Sequence, residues 1–171
     1  MINKINKMSQ SEFIKVFANI FENATWIAEE LYKQKPFGDF NELSTKMMNI
    51  FEMSSKEKKL KILNDHPDLA DRTKISSLTP DSSKEQKSVG LDQCTEKEFS
   101  EFKKLNNTYK KFGFPFILAI KGKNKIEILN NFRKRINAKP EIEFNEAITQ
   151  VKKIASLRLV NLKNIFNTQL P

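Results

Sequence analysis

Three polar side chains in this sequence have the chemistry for proton transfer and anion binding: His66, Glu85 and Arg158. His66 is the single histidine, and imidazole is the side chain whose ordinary pKa lies nearest neutrality. It stands before Pro67 at the expected end of a helix, where an imidazolium also interacts favourably with the last carbonyls. Glu85 occupies the fourth place of Ser82-x-x-Glu85, the pattern of a helix capping box. Arg158 lies between Leu157 and Leu159, where a solvated or salt-bridged arginine is the plainer reading. Taken singly, none of the three identifies a reaction. The chain has no mononucleotide-binding loop, no nucleophile elbow and no metal-ligand spacing. A lone Cys94 and a lone histidine exclude a disulfide framework and a zinc cluster built on Cys or several His.

The elements that must position these groups read as helices. Ser9 with Glu12 opens one along Phe13, Val16, Phe17, Ile20 and Phe21. Asn23 can cap a second through Trp26, Ile27 and Leu31, stopping before Pro36. Asp39 with Glu42 opens a third, and Ser54 with Glu57 a fourth that ends at His66-Pro67. Residues 68–81 read as a loop or short helix. Thr79-Pro80 supplies an N-cap and first helical position, and Gly90 a stop. Thr95 with Glu98 begins a long helix along Phe99, Phe102, Leu105, Tyr109 and Phe112, closed by Gly113. Residues 114–121 are apolar and could be strand or buried helix, since periodicity cannot decide over so short a run. Asn124 with Glu127 opens another helix, and Pro140 starts the last. The expectation is an all-α fold, a single compact multi-helix domain over residues 1–171 with one core.

Bulk composition agrees. Four glycines and six prolines in 171 residues are too few for the many turns of an all-β sandwich or barrel. The net charge of +9 raises the question of a nucleic-acid partner, yet 26 of the 30 basic residues are Lys. Phosphate and base recognition favour the bidentate fork of Arg. Abundant Lys, Asn, Ile and Phe have A/T-rich codons, so a low-GC genome accounts for the skew. No apolar run approaches the roughly 20 residues that span a bilayer, so no membrane association is expected. No apolar region follows the charged start, and the sequence ends without Ser-Lys-Leu. The expected setting is therefore cytoplasmic, bacterial rather than peroxisomal.

In combination these residues say more. His66-Pro67-Asp68-Leu69-Ala70, then Ser82-x-x-Glu85-Gln86-x-x-x-Gly90-Leu91, then Leu105-Asn106-x-x-Tyr109-x-Lys111-Phe112-Gly113-Phe114-Pro115-Phe116-Ile117 follow in that order. Phe21-Glu22-Asn23-x-x-Trp26-Ile27-Ala28 precedes them and Arg158-Leu159 follows. This series resembles the 2-oxo-4-hydroxy-4-carboxy-5-ureidoimidazoline (OHCU) decarboxylase family of urate degradation over nearly the whole chain. The resemblance implies a compact all-helical fold, a homodimer, no metal or organic cofactor, and decarboxylation of OHCU to (S)-allantoin. It carries His66, Glu85 and Arg158 over as catalytic residues. Pro67, Ser82, Gln86 and the run Phe116, Ile117, Leu118, Ala119 and Ile120 carry over as substrate-binding.

That chemistry suits these residue types. Loss of carbon dioxide leaves an electron pair to be delocalised into the ring. An enzyme without a cofactor sink orients the carboxylate, stabilises the oxyanion and delivers a proton to one face. His66 is suited to general acid/base transfer, Glu85 to binding ureido or ring N–H donors and tuning His66, and Arg158 to pairing with the anion. Backbone N–H groups of residues 116–120 could stabilise the oxyanion. Two other classes compete: a basic helical nucleic-acid-binding module using Lys56, Lys58, Lys59 and Lys61, and a non-catalytic helical protein whose Phe stripes bind a partner helix.

Overall fold

Local capping chemistry sets most of the helix starts. In the computed structural model, which describes residues 1–71 and 78–168, Ser9, Thr95 and Asn124 each head a complete capping box. The paired Glu12, Glu98 and Glu127 return to the N-cap backbone N–H at 2.7–2.8 Å. These open α2 (Gln10–Phe17), α7 (Glu96–Tyr109) and α8 (Lys125–Arg135). Asp39 caps α4 (Phe40–Glu52) by accepting from the Glu42 N–H at 2.7 Å. Glu42 returns to the Gly38 N–H instead, at 2.6 Å.

The remaining helices are α1 (Ile2–Lys7), α3 (Thr25–Tyr32), α5 (Lys56–Asp65), α6 (Pro80–Ser88) and α9 (Pro140–Thr168). Among the described residues there are nine α-helices and no strand, the all-α class expected from the sequence. No described helix is long and apolar enough to cross a membrane.

The chain divides into two compact units, residues 1–62 with 152–171 and residues 63–151. In the first, α2 packs on α3 and α3 on α4. Its interior is aromatic, with Phe13 4.5 Å from Phe17 and Phe21 4.8 Å from Phe51 between ring centroids. Such rings bury large areas, and offset or tilted contacts suit their quadrupoles. In the second unit Phe116 stacks on Phe132 at 3.8 Å, with Tyr109 edge-on to both.

Several local expectations are corrected. Asn23 does not cap α3, because it adopts φ 48° in the preceding turn and Ala24 takes the N-cap position. Asn is among the residues that enter this left-handed region most readily. α2 stops at Phe17, and Ile20 and Phe21 are buried from the turn beyond it. At α5 it is Ser55, not Ser54, whose hydroxyl accepts from a first-turn amide, that of Lys58 at 3.3 Å. Ser82 and Glu85 form no capping box, since both lie inside α6 behind the true cap, Thr79. Residues 115–120 are neither strand nor helix, and the first helix, α1, has no strong signal in the sequence. Of the expected loop at 68–81, residues 72–77 lie outside the described residues.

Candidate functional site

His66 follows the last residue of α5 and is 9% exposed, its N–H donating to the Leu63 carbonyl at 3.2 Å. Pro67 ends the helix there, as the disfavoured α conformation before proline requires. The chain that follows is held at three points within the second unit. Gln86, on α6, donates from Nε2 to the Asp68 carbonyl at 3.3 Å and accepts from the Ala70 N–H at 3.0 Å. Asn106, on α7, donates from Nδ2 to the Leu69 carbonyl at 2.9 Å. Ala70 is thereby fixed at φ 56°, a conformation that costs a residue with a Cβ about 1–2 kcal/mol.

The sequence named Gln86 as substrate-binding; its amide here engages the backbone after His66-Pro67, so it shapes the segment that carries the histidine. Asn106 was missed as a site element. Its Oδ1 is buried and finds no partner among the described residues. Asn106 also lines an open cavity of about 220 Å³ together with Asp68, Ala70, Asp71, Phe99 and Lys103.

On α6, Ser82 is buried and Glu85, three residues later, is half-buried. A spacing of three places two side chains on one face of a helix. Thr79 fixes the start of that helix by accepting from the Ser82 N–H at 3.3 Å, and Pro80 supplies a first-turn position that needs no N–H partner. Thr79, Pro80, Ser82, Glu85 and Gln86 therefore depend on one short element.

Residues 116–120 form a buried, irregular strip. Phe116, Ile117, Leu118 and Ile120 are each at most 5% exposed, and Ala119 is half-buried. Backbone groups in such a strip lack a ladder and must find other partners. Arg135 donates from Nη1 to the Ile117 carbonyl at 2.7 Å, and the Ala119 N–H donates to Gln150 Oε1 at 2.9 Å. The Ala119 amide is thus engaged by the protein and is not an open donor.

Arg135 is paired with Glu143, its Nε lying 3.0 and 3.3 Å from the two carboxylate oxygens. The Tyr109 hydroxyl donates to the same carboxylate. Burial first, and the Glu143 carboxylate second, push the Tyr109 phenol well above its ordinary pKa. Arg135, Glu143 and Gln150 were not read as site elements: Arg135 meets Glu143 across the turn between α8 and α9, and Arg135 and Gln150 reach backbone groups 18 and 31 residues away, so no helical spacing marks them.

In the first unit, Arg158 on α9 is buried with Glu22. Its Nη1 donates to Glu22 Oε2 and to the Asn19 carbonyl, both at 2.9 Å. Side-chain exposures of 6% and 1% make this a desolvated ion pair, so the salt-bridged reading of Arg158 is correct whatever else it does. Glu22 sits in the turn before Asn23, whose left-handed backbone shapes that turn.

Known proteins place the chain. The family model described as OHCU decarboxylase matches residues 6–160. A uric acid degradation bifunctional protein of Bacillus sp. (strain TB-90) is 39% identical over 92% of this chain and 31% of its own length, so this chain spans about a third of that relative. A 2-oxo-4-hydroxy-4-carboxy-5-ureidoimidazoline decarboxylase of Haloferax volcanii is 35% identical over 92% of this chain and 93% of its own. Among solved structures, an (S)-allantoin synthase aligns with TM-score 0.75 and 29% identity over 95% of this chain and 54% of that one. An OHCU decarboxylase structure aligns with TM-score 0.68 at 20% identity, a likeness of fold. The matched range takes in His66, Glu85, residues 116–120 and Arg158, and this chain belongs to the OHCU decarboxylase family.

Proposed function

We propose that this chain decarboxylates OHCU to (S)-allantoin in urate degradation, acting as a cytoplasmic homodimer without a metal or organic cofactor. The observation that carries this reading is the family match over residues 6–160, which spans both compact units and every candidate site residue. That single match also supports treating residues 1–171 as one functional domain.

In this reading the bond between the ring carbon and its carboxylate breaks, carbon dioxide leaves, and the electron pair is delocalised into the ring. His66 delivers the proton to one face, as general acid/base. Glu85 accepts from ureido or ring N–H groups and keeps His66 poised. Arg158 pairs with the substrate anion through a guanidinium whose fork lysine cannot reproduce. Pro67, Ser82, Gln86 and residues 116–120 shape the surface the substrate meets, and Gln86 also holds the chain that follows His66-Pro67.

The test is turnover of freshly generated OHCU followed by circular dichroism. Wild-type protein should accelerate appearance of the (S)-allantoin signal over spontaneous decay, and His66→Ala should abolish that acceleration while retaining the helical far-ultraviolet spectrum. Wild-type-like turnover by folded His66→Ala removes the histidine from the mechanism. No acceleration by the wild type removes the activity itself.

A further inference from the structure

Residues 115–120 are held without a ladder, and the two side chains that hold them come from α8 and α9. Arg135 engages the carbonyl of the Ile117–Leu118 peptide, and Gln150 engages the N–H of the next peptide. That first peptide is trans, since the one cis bond among the described residues is Lys35-Pro36. In a trans peptide the C=O and N–H point in opposite directions. Fixing the Ile117 carbonyl on Arg135 therefore aims the Leu118 N–H away from Arg135. Among the described residues that N–H meets no acceptor. A buried amide without a protein partner calls for a polar ligand or water.

The anchor itself is immobilised on several sides. The Arg135 guanidinium lies over the Phe116 ring at 4.5 Å, and Phe116 stacks on Phe132. Glu143, at the first turn of α9, engages Nε, and Tyr109 donates to that carboxylate. The raised Tyr109 pKa keeps the phenol a donor through the neutral range. Gln150 is oriented in turn by its Nε2, which donates to Glu146 Oε1 at 2.6 Å. A lysine at 135 would keep the charge opposite Glu143 but could not span both the carboxylate and the Ile117 carbonyl with a planar fork.

We propose that Arg135, seconded by Gln150, is a positioning residue for decarboxylation that fixes the Ile117–Leu118 peptide so that the Leu118 N–H meets the anionic oxygen of the substrate. The inference rests on the reading of residues 116–120 as a substrate-contacting segment. A preorganised donor acts on charge that develops in the transition state, so its misplacement lowers kcat more than it raises KM.

The variants Arg135→Lys and Gln150→Met, with Ile128→Ala on α8 as a control, are compared with wild type. Each is assayed with freshly generated OHCU and by thermal melting. Both positioning variants should lose roughly 10- to 100-fold in kcat with KM changed less than about threefold. Ile128→Ala, destabilised at least as much, should keep kcat within about threefold. The positioning role is overturned if folded Arg135→Lys keeps wild-type kcat, or if the control loses as much as the variants. Should Arg135→Lys fail to fold, Gln150→Met decides by the same criteria. A wild type inactive on OHCU overturns the functional reading and this inference with it. An active wild type with unaffected variants overturns the positioning role alone.

Discussion

Arg158 serves two demands that usually compete. Its Nη1 is engaged with Glu22 and the Asn19 carbonyl, yet the proposed chemistry asks the same guanidinium to meet an anion. Five N–H donors on one planar group make this feasible, where an ammonium would spend its charge on one partner. Arg158→Lys should therefore lose more than tenfold in turnover of OHCU, and a loss below about threefold would assign Arg158 to structure alone. Glu22 has a measurable structural share. Removing one partner of a buried ion pair leaves an uncompensated charge and costs about 3–5 kcal/mol. Glu22→Ala should lower the melting temperature by on the order of 10 °C, and a shift under about 3 °C would show that water compensates Arg158.

At the scale of elements, α7 illustrates what local sequence can encode. Thr95 and Glu98 form the capping box read from their spacing, and Lys125 adds an ion pair to Glu98 at 2.8 Å. The hydrogen bond from Lys125, foremost, and those from Thr95 hold the Glu98 carboxyl below its ordinary value of 4.5. A carboxyl with a lowered folded-state pKa contributes stability above its unfolded value, and that contribution is lost as pH falls through the folded-state pKa. Denaturant midpoints should thus fall on acidification below about pH 4.5, and Glu98→Gln should shrink that fall. An unchanged acid limb in Glu98→Gln would remove the carboxylate from the explanation. Thr95→Ala should cost about 1 kcal/mol at neutral pH through the lost cap.

The caps at Ser9, Asp39, Thr79, Thr95 and Asn124, with Pro80 and the terminating Gly113, were legible because each acts within four residues. Asn23 misled because Asn serves equally as a cap and as a left-handed turn residue. Residues 114–121 could not be read at all. Their conformation is decided by Arg135 and Gln150, 18 and 31 residues away from the backbone groups they bind. The same holds for the site: His66, Glu85 and Arg158 stood out by type and order, whereas Glu22, Asn106 and Gln150 act through non-local pairing that no spacing reveals.

For the whole molecule, the +9 charge is carried mainly by exposed lysines. Three of the four arginines lie among the described residues, and each has a carboxylate partner: Arg133 with Glu101, Arg135 with Glu143 and Arg158 with Glu22. Among the described arginines, phosphate recognition by bidentate forks would have to draw on groups already engaged. The protein should consequently leave a DNA column with a shallow salt dependence, and a log–log slope of about −6 or steeper would instead indicate a phosphate-tracking surface. A diffuse positive field still favours encounter with an anionic substrate, so kcat/KM for OHCU should decline gently as salt rises.

Ala70 bears on how far this protein could be hardened. It holds a backbone conformation that glycine adopts freely, in the stretch pinned by Gln86 and Asn106 four residues beyond His66. The methyl group narrows the choices of the unfolded chain while the native contacts absorb its strain. Ala70→Gly would relieve the native strain but return freedom to the unfolded chain, so the two effects oppose each other and the net gain in stability stays below the strain released.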